Sequence, residues 1–316
     1  MNILITGGAG FIGSHLTEYL LNNTENNIII IDNLCSSNNN IIKNLKKEYP
    51  TRIKIYYKNI NSFSFDNLSV DQIYHLACPA SPQFYQKNPL ETITTCTNGI
   101  FNVLEFAKKC DCPILFTSTS EVYGEPLISP QYEKYRGNVN TTGIRSCYDE
   151  GKRIGETIFT EYNNIYNVNI KICRVFNTYG PYLNPNDGRV ISNFINQAIH
   201  NENITIYGDG SQTRSFCYID DLVSGLISLM NTNDYHKPIN LGNPNEVSIL
   251  NLAQNIIKLT NSTSKIIYKP LPSDDPTNRC PNIKLANYIL NWKPQVLLQD
   301  GLKKTIQYYI KNHKTN

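Results

Sequence analysis

The chain opens on Asn2-Ile3-Leu4-Ile5-Thr6, a short aliphatic and β-branched run that stops at Gly7-Gly8-Ala9-Gly10-Phe11-Ile12-Gly13. Leu16, Tyr19 and Leu20 then recur at helical spacing, so the segment reads as strand, glycine turn and helix. Further apolar runs at 27–32, 53–57, 72–76 and 113–117 predict buried strands, with helical patterns between several of them. Two long helical patterns follow at 90–109 and 148–166, and another strand at 168–174. Strands alternating with helices predict a parallel sheet wound right-handedly. The expected fold class is therefore α/β, a Rossmann-like doubly wound parallel sheet.

After Gly180-Pro181 the rhythm changes to loops rich in Pro, Asn and Gly. A helix near 192–200, a short strand at 204–207 and helices near the C-terminus predict a smaller α/β lobe. Ile239-Asn240-Leu241-Gly242 reads as one more central strand, so this lobe is expected to be partly interleaved with the first unit. The expected division is 1–178, with a return of 215–243, for one unit and 179–316 for the other.

Composition narrows the function classes. The 316 residues are 40% hydrophobic and 17% charged, which excludes a wholly disordered chain. With 29 basic against 26 acidic residues, no global field is available to hold a nucleic acid or an anionic membrane. No apolar run approaches the roughly 20 residues that span a bilayer, and no signal-like start is present, so a soluble cytoplasmic protein is expected. Nine cysteines without a C-x-x-C pair predict reduced thiols and no metal site.

In Gly7-x-x-Gly10-x-x-Gly13 the absent side chains let the turn close, let a pyrophosphate approach the backbone and let helix pack on strand. Phe11 and Ile12 open the helix whose amides face those phosphates. Asp32 ends the second strand about 20 residues on, where a carboxylate accepts from ribose hydroxyls and repels a 2′-phosphate. This pattern predicts NAD as cofactor, in preference to NADP; Asn33, Leu76, Ala77 and Thr178 are further candidate cofactor residues.

Tyr148 and Lys152 stand four apart on a predicted helix and share one face. A phenol of ordinary pKa ~10 needs such a cationic neighbour to act as a base near neutrality. Thr119-Ser120-Glu121 leaves the C-terminal end of a predicted strand, the edge where open parallel sheets bind ligands. A hydroxyl there can bond the oxygen being oxidised while Tyr148 removes its proton.

With these residues the chain resembles the extended short-chain dehydrogenase/reductase family and, within it, the UDP-glucuronate decarboxylases. The resemblance runs through His75-Leu76-Ala77-Cys78-Pro79-Ala80-Ser81-Pro82, Ser118-Thr119-Ser120-Glu121-Val122-Tyr123-Gly124 and Cys147-Tyr148-Asp149-Glu150-Gly151-Lys152-Arg153. It continues in Arg174-Val175-Phe176-Asn177-Thr178-Tyr179-Gly180-Pro181, Asp187-Gly188-Arg189-Val190, Gln212-Thr213-Arg214-Ser215-Phe216 and Asp274-Asp275-Pro276.

The resemblance implies that Tyr148 takes the proton of the sugar 4-hydroxyl while NAD is reduced, leaving a ketone β to the C5 carboxylate. Carbon dioxide is then lost, and the resulting enolate is protonated and reduced back, giving UDP-xylose. It implies that Thr119 assists Tyr148, that Lys152 holds the ribose and lowers the phenol pKa, and that Ser120 and Glu121 flank the reacting C5 substituent. Arg279 matches the arginine that meets the carboxylate. Tyr85, Asn177, Val190, Tyr207, Gln212 and Arg214 match positions around the sugar and the nucleotide. A homodimer built on the helices at 90–109 and 148–166 is implied as well.

Ser120 stands where the related 4,6-dehydratases carry the acid that protonates a departing 6-hydroxyl. Other positions depart from the decarboxylase pattern: Thr94 and Cys96 replace the usual Lys and Asn, Asn59 an acid, Arg136 a Trp and Tyr182 an Arg. Loss of the Lys shifts recognition of the carboxylate to Arg279 or lowers affinity for the acid. A 4,6-dehydratase or 4-epimerase, or a non-catalytic NAD- and UDP-sugar-binding protein, are the competing readings.

Overall fold

The aliphatic runs become the middle of a sheet because parallel strands covered on both faces need side chains that are apolar in both directions. The computed structural model describes residues 1–37, 39–270 and 278–313. Strand β1 (Asn2–Thr6) enters the glycine turn and helix α1 (Phe11–Asn23) leaves it. There follow β2 (Asn27–Ile31), α2 (Asn39–Glu48), β3 (Ile53–Tyr56) and β4 (Gln72–His75). Helices α3 (Pro82–Tyr85) and α4 (Pro89–Thr94) precede a π-helical turn, Thr95–Gly99, and α5 (Ile100–Cys110). Then come β5 (Ile114–Thr119), a 3₁₀ turn at Ser120–Tyr123, α6 (Ser146–Tyr166) and β6 (Ile170–Val175).

The single helix expected at 90–109 is thus interrupted by a π turn. Thr94, Thr95 and Thr97 each donate their hydroxyl to the carbonyl four residues back, on Leu90, Glu91 and Ile93. Such side-chain bonds compete with the helical ladder and distort it. Strand β5 also runs two residues beyond its expected end. All six of its residues are buried, and the polar ones are satisfied: Thr117 Oγ1 donates to His75 O and Ser118 Oγ to Glu156 Oε1.

The remainder comprises β7 (Thr178–Tyr179), α7 (Val190–Ile199), β8 (Ile204–Tyr207), β9 (Thr213–Ser215) and β10 (Cys217–Tyr218). These lead to α8 (Ile219–Met230), β11 (Pro238–Leu241), β12 (Glu246–Ser248) and α9 (Ile249–Thr260). Last come β13 (Ile266–Lys269), α10 (Lys284–Leu290) and α11 (Leu298–His313).

Seven parallel strands form one sheet in the order β3-β2-β1-β4-β5-β6-β11, so the expected doubly wound α/β fold is what forms. Leu16 and Leu20 of α1, Ile42 of α2 and Leu222 of α8 belong to one apolar layer. Val103 of α5 with Ile158 and Phe159 of α6 belong to the other. The chain reverses direction across the sheet between β1 and β4, the place where such sheets open a crevice at their strand ends. After β10 and α8, β11 returns and pairs along β6 from Pro238 to Leu241.

Candidate active site

The strand ends open into one cavity of about 680 Å³. Every site residue expected from the sequence lines it, from Gly7 and Asp32 at one end to Tyr207, Gln212, Arg214 and Arg279 at the other. Asp274-Asp275-Pro276 lies outside the described residues.

At the first end the turn is dictated by close approach. Gly7 has φ +71° and a Cβ there would meet Ala77 N at 2.8 Å. A Cβ on Gly13 would stand 2.3 Å from Gly7 O. Only glycine lets β1, α1 and the loop after β4 converge this tightly. Asp32 follows β2 and is buried; its Oδ2 accepts from Ala9 N at 2.9 Å and its Oδ1 from Leu34 N at 2.8 Å. Burial raises its carboxyl pKa, against these hydrogen bonds. A carboxylate fixed beside a bare glycine turn at a helix start is the fit a dinucleotide needs: amides for phosphate and an acceptor for ribose.

Helix α6 buries Tyr148, Gly151, Lys152, Gly155, Ile158, Phe159 and Tyr162, the three- and four-residue steps of one face. Tyr148 and Lys152 therefore both point at the sheet. Lys152 Nζ donates to Thr117 O at 2.8 Å and lies 5.9 Å from the centre of the Tyr148 ring. Tyr85 stacks on Tyr148, with ring centres 4.9 Å apart and planes 6° from parallel. The expected lowering of the phenol pKa is not what the folded chain alone produces. Burial raises it well above the ordinary value and Cys78 adds to this, while the Thr119 side chain opposes them by a hydrogen bond.

Thr119 caps the 3₁₀ turn, its Oγ1 accepting from Glu121 N at 3.2 Å. This sets Glu121 between two guanidiniums: Arg145 Nη2 donates to its Oε2 at 2.6 Å and Arg279 Nη2 at 3.0 Å. Burial alone would raise the Glu121 pKa, but Arg279 and Arg145 outweigh it and hold the carboxyl at about 2. Arg279 is almost fully buried and also donates from Nη1 to Gly124 O at 2.7 Å. Asp149, next to Tyr148, is pushed up to about 7 by burial and by the Glu121 charge. Arg145 Nε also stands 4.0 Å from Asp149 Oδ2, so the two guanidiniums meet two carboxyls at this end of the cavity.

Arg145 was not singled out by the sequence, although it sits three residues before Tyr148, one helical turn away and on the lead into α6. Arg189 belongs to the Asp187-Gly188-Arg189-Val190 motif. It lines the same cavity, with Nε 2.8 Å from Asp187 Oδ2.

The departures have structural partners. Asn59 Nδ2 donates to Glu91 Oε1 at 2.7 Å, and Tyr182 stacks on His15 at 4.4 Å and donates to Glu18 at 3.1 Å. Thr94 spends its hydroxyl on Leu90 O and does not line the cavity. Arg136 is exposed, and its carbonyl accepts from Arg153. His75 serves structure, its Nδ1 2.7 Å from Thr6 Oγ1.

Residues 3–242 match the NAD dependent epimerase/dehydratase family. The chain belongs to this family. Among NAD dependent epimerase/dehydratase relatives, UDP-glucuronic acid decarboxylase 3 of Arabidopsis thaliana is 49% identical over 304 residues, covering 96% of this chain and 87% of that one. UDP-glucuronic acid decarboxylase 1 of Danio rerio is 46% identical over 321 residues, covering 99% and 74%. The solved UDP-glucuronic acid 4-epimerase of Bacillus cereus, in complex with UDP-glucuronic acid and NAD, superposes with a TM-score of 0.88 at 28% identity, covering 99% and 100%. NAD is the cofactor of the family, in agreement with the glycine turn and Asp32. No helix among the described residues is long and apolar enough to cross a membrane.

Proposed function

We propose that the chain is an NAD-dependent UDP-glucuronate decarboxylase that forms UDP-xylose and carbon dioxide. The observation that carries this is the pair of buried guanidiniums, Arg145 and Arg279, that meet at Glu121 in the cavity that Tyr148 lines, in a chain 49% identical to UDP-glucuronic acid decarboxylase 3 of Arabidopsis thaliana. A hexose whose sixth carbon is a carboxylate can set its negative end against these guanidinium donors.

Residues 1–178 with 215–243 make the cofactor half, and the remaining residues from 179 on make the sugar lobe; the pairing of β11 on β6 supports this division. Gly7, Gly10, Gly13 and the start of α1 at Phe11 and Ile12 hold the pyrophosphate, and Asp32 and Asn33 the adenine ribose. Leu76, Ala77 and Thr178 wall the remainder of the cofactor. Bound NAD supplies the redox chemistry, oxidation of the sugar 4-hydroxyl to a ketone and its later reversal. Tyr148 takes the hydroxyl proton and returns it, with Thr119 bonded to the same oxygen. Lys152, fixed by Thr117 O, places its ammonium where it favours the ionised phenol.

A ketone at C4 stands β to the carboxylate, so carbon dioxide leaves and the electron pair passes to the ketone oxygen. The donors at that oxygen, Tyr148 and Thr119, stabilise the enolate, which takes a proton from water at C5 before C4 is reduced back. Arg279 and Glu121 border C5 with Ser120. Tyr85 covers the sugar, and Asn177, Val190, Tyr207, Gln212 and Arg214 receive the nucleotide.

The exposed Leu90, Ile93, Phe101, Ile154 and Ile165 on α4, α5 and α6 support a homodimer through these helices. Nine free thiols suit the reducing cytoplasm.

The test is purified protein with NAD and UDP-glucuronate, read by mass spectrometry. A nucleotide sugar lighter by one carbon dioxide is expected. An isomer of unchanged mass, or loss of water from a neutral UDP-sugar in its place, overturns the assignment.

A further inference from the structure

One wall of the cofactor cavity carries chemistry that this mechanism does not use. Cys78, in the loop after β4, and Cys96, in the π turn, bring their sulfurs to 3.4 Å, and both are free thiols. Cys78 lines the cavity and Cys96 lies buried behind it. Cys96 is also seated on the helix that carries Tyr148 and Lys152. A Cβ on Gly151, between those two residues, would stand 3.1 Å from both Cβ and Sγ of Cys96.

The two thiols differ in character. The hydrogen bond from Cys96 holds the Cys78 pKa below the ordinary thiol range, against burial, and the Lys152 charge adds to this. The same bond and burial push Cys96 up. Cys78 is thus the nucleophilic sulfur and Cys96 the proton-holding partner.

We infer that Cys78 and Cys96 form a redox modification site, closing to a disulfide under a hydroperoxide and thereby stopping turnover. The Cys78 thiolate attacks the terminal peroxide oxygen. An S–O bond forms, the O–O bond breaks, and the departing alkoxide or hydroxide takes up the proton that Cys78 had released and leaves as an alcohol or water. Cys96 then displaces the hydroxyl from Cys78, forming the S–S bond and releasing water that carries away the Cys96 proton. The two electrons given up by the sulfurs reduce the peroxide, and a dithiol returns them.

Closure shortens the sulfur separation from 3.4 Å to about 2.05 Å. Either Cys96 lifts off Gly151 or the loop at 76–82 moves against the cavity. The π turn, which holds one residue more than a regular turn, is where α4 and α5 can yield. A shift near 1 Å at a reacting centre costs about a hundredfold in rate.

The experiment treats the full chain, loaded with NAD, with hydrogen peroxide, alkylates the remaining thiols and maps the peptides by mass spectrometry. A Cys78–Cys96 linked peptide, two hydrogens lighter than the free pair, is expected. With it should come a loss of turnover of at least about tenfold, reversed by dithiothreitol. Cys96→Ser should keep the untreated activity and resist the same peroxide dose. The inference is overturned if both thiols remain alkylatable or if Cys78 oxidises without linking to Cys96. It is equally overturned if the link forms with turnover intact, or if Cys96→Ser is as sensitive as the parent. Peptide mapping needs no turnover, so it stands apart from the fate of the decarboxylase assignment.

Discussion

The two ends of the cavity are made in different ways. The cofactor end is backbone: a turn from Gly7 to Gly13 and one carboxylate, Asp32, held by the amides of Ala9 and Leu34. The sugar end is side chains: Glu121 gathers Arg145 from 24 residues away and Arg279 from 158 residues away. Backbone geometry tolerates no added atom but carries little charge. The ion cluster tolerates small shifts, yet each charge in it depends on the others. The first end supplies fixed shape, and the second tuned electrostatics.

The largest effect expected at the second end comes from Tyr148→Phe, which removes the proton carrier and keeps the ring on Tyr85. Turnover should fall about 10³-fold with UDP-sugar affinity nearly unchanged. A parallel loss of affinity would mean that the phenol serves binding, and the contrast between the ends would narrow.

Arg279→Ala leaves Glu121 buried with Arg145 as its remaining guanidinium. A stability loss of about 3 kcal/mol in urea unfolding is expected, together with loss of decarboxylation. A variant as stable as the parent would show that the cluster is not coupled as the geometry has it.

At the first end, Gly13→Ala forces a Cβ against Gly7 O and must open the turn. Overpacking of this kind costs about 1–3 kcal/mol. Calorimetry should find NAD affinity reduced, with UDP-sugar affinity retained. Equal loss of both would remove the distinction between shape and charge.

The smallest effect concerns Asp149. Its carboxyl is raised to about 7 in the fold, by burial first, so the folded chain keeps a proton that the unfolded chain has released. Stability from this group is complete below the unfolded pKa, near 4, and is lost as pH rises toward 7. In Asp149→Asn that slope disappears. Its melting temperature relative to the parent should climb between about pH 4 and 7 and then level off, by on the order of 2 °C. A difference constant across pH would contradict the burial argument. Glu121 has the opposite sign: its stabilisation is present above its unfolded pKa and disappears only as pH falls toward 2.

The same contrast governs what the sequence discloses. The glycine turn, Asp32 and the Tyr148/Lys152 spacing are local patterns, so they are readable directly, as are the strands that alternate with helices. Arg145 carries no such pattern, because its meaning comes from Glu121, in the turn after β5. The upward shift of Tyr148 and the π turn at Thr95–Gly99 escape for a similar reason. The first arises from burial by many segments, the second from threonine hydroxyls competing with a helix whose apolar spacing looks unbroken. The polar Ser118 and Thr119 read as the end of β5, yet the sheet buries them.

Strand β11 has a consequence for the integrity of the whole. It is reached only after the chain has left β6, crossed the region of α7 and come back through α8, and it then zips along β6 from Pro238 to Leu241. A protease that nicks the chain anywhere between those strands leaves two fragments stitched into a single sheet. The halves of the molecule are sewn together, and separating them requires melting the sheet edge.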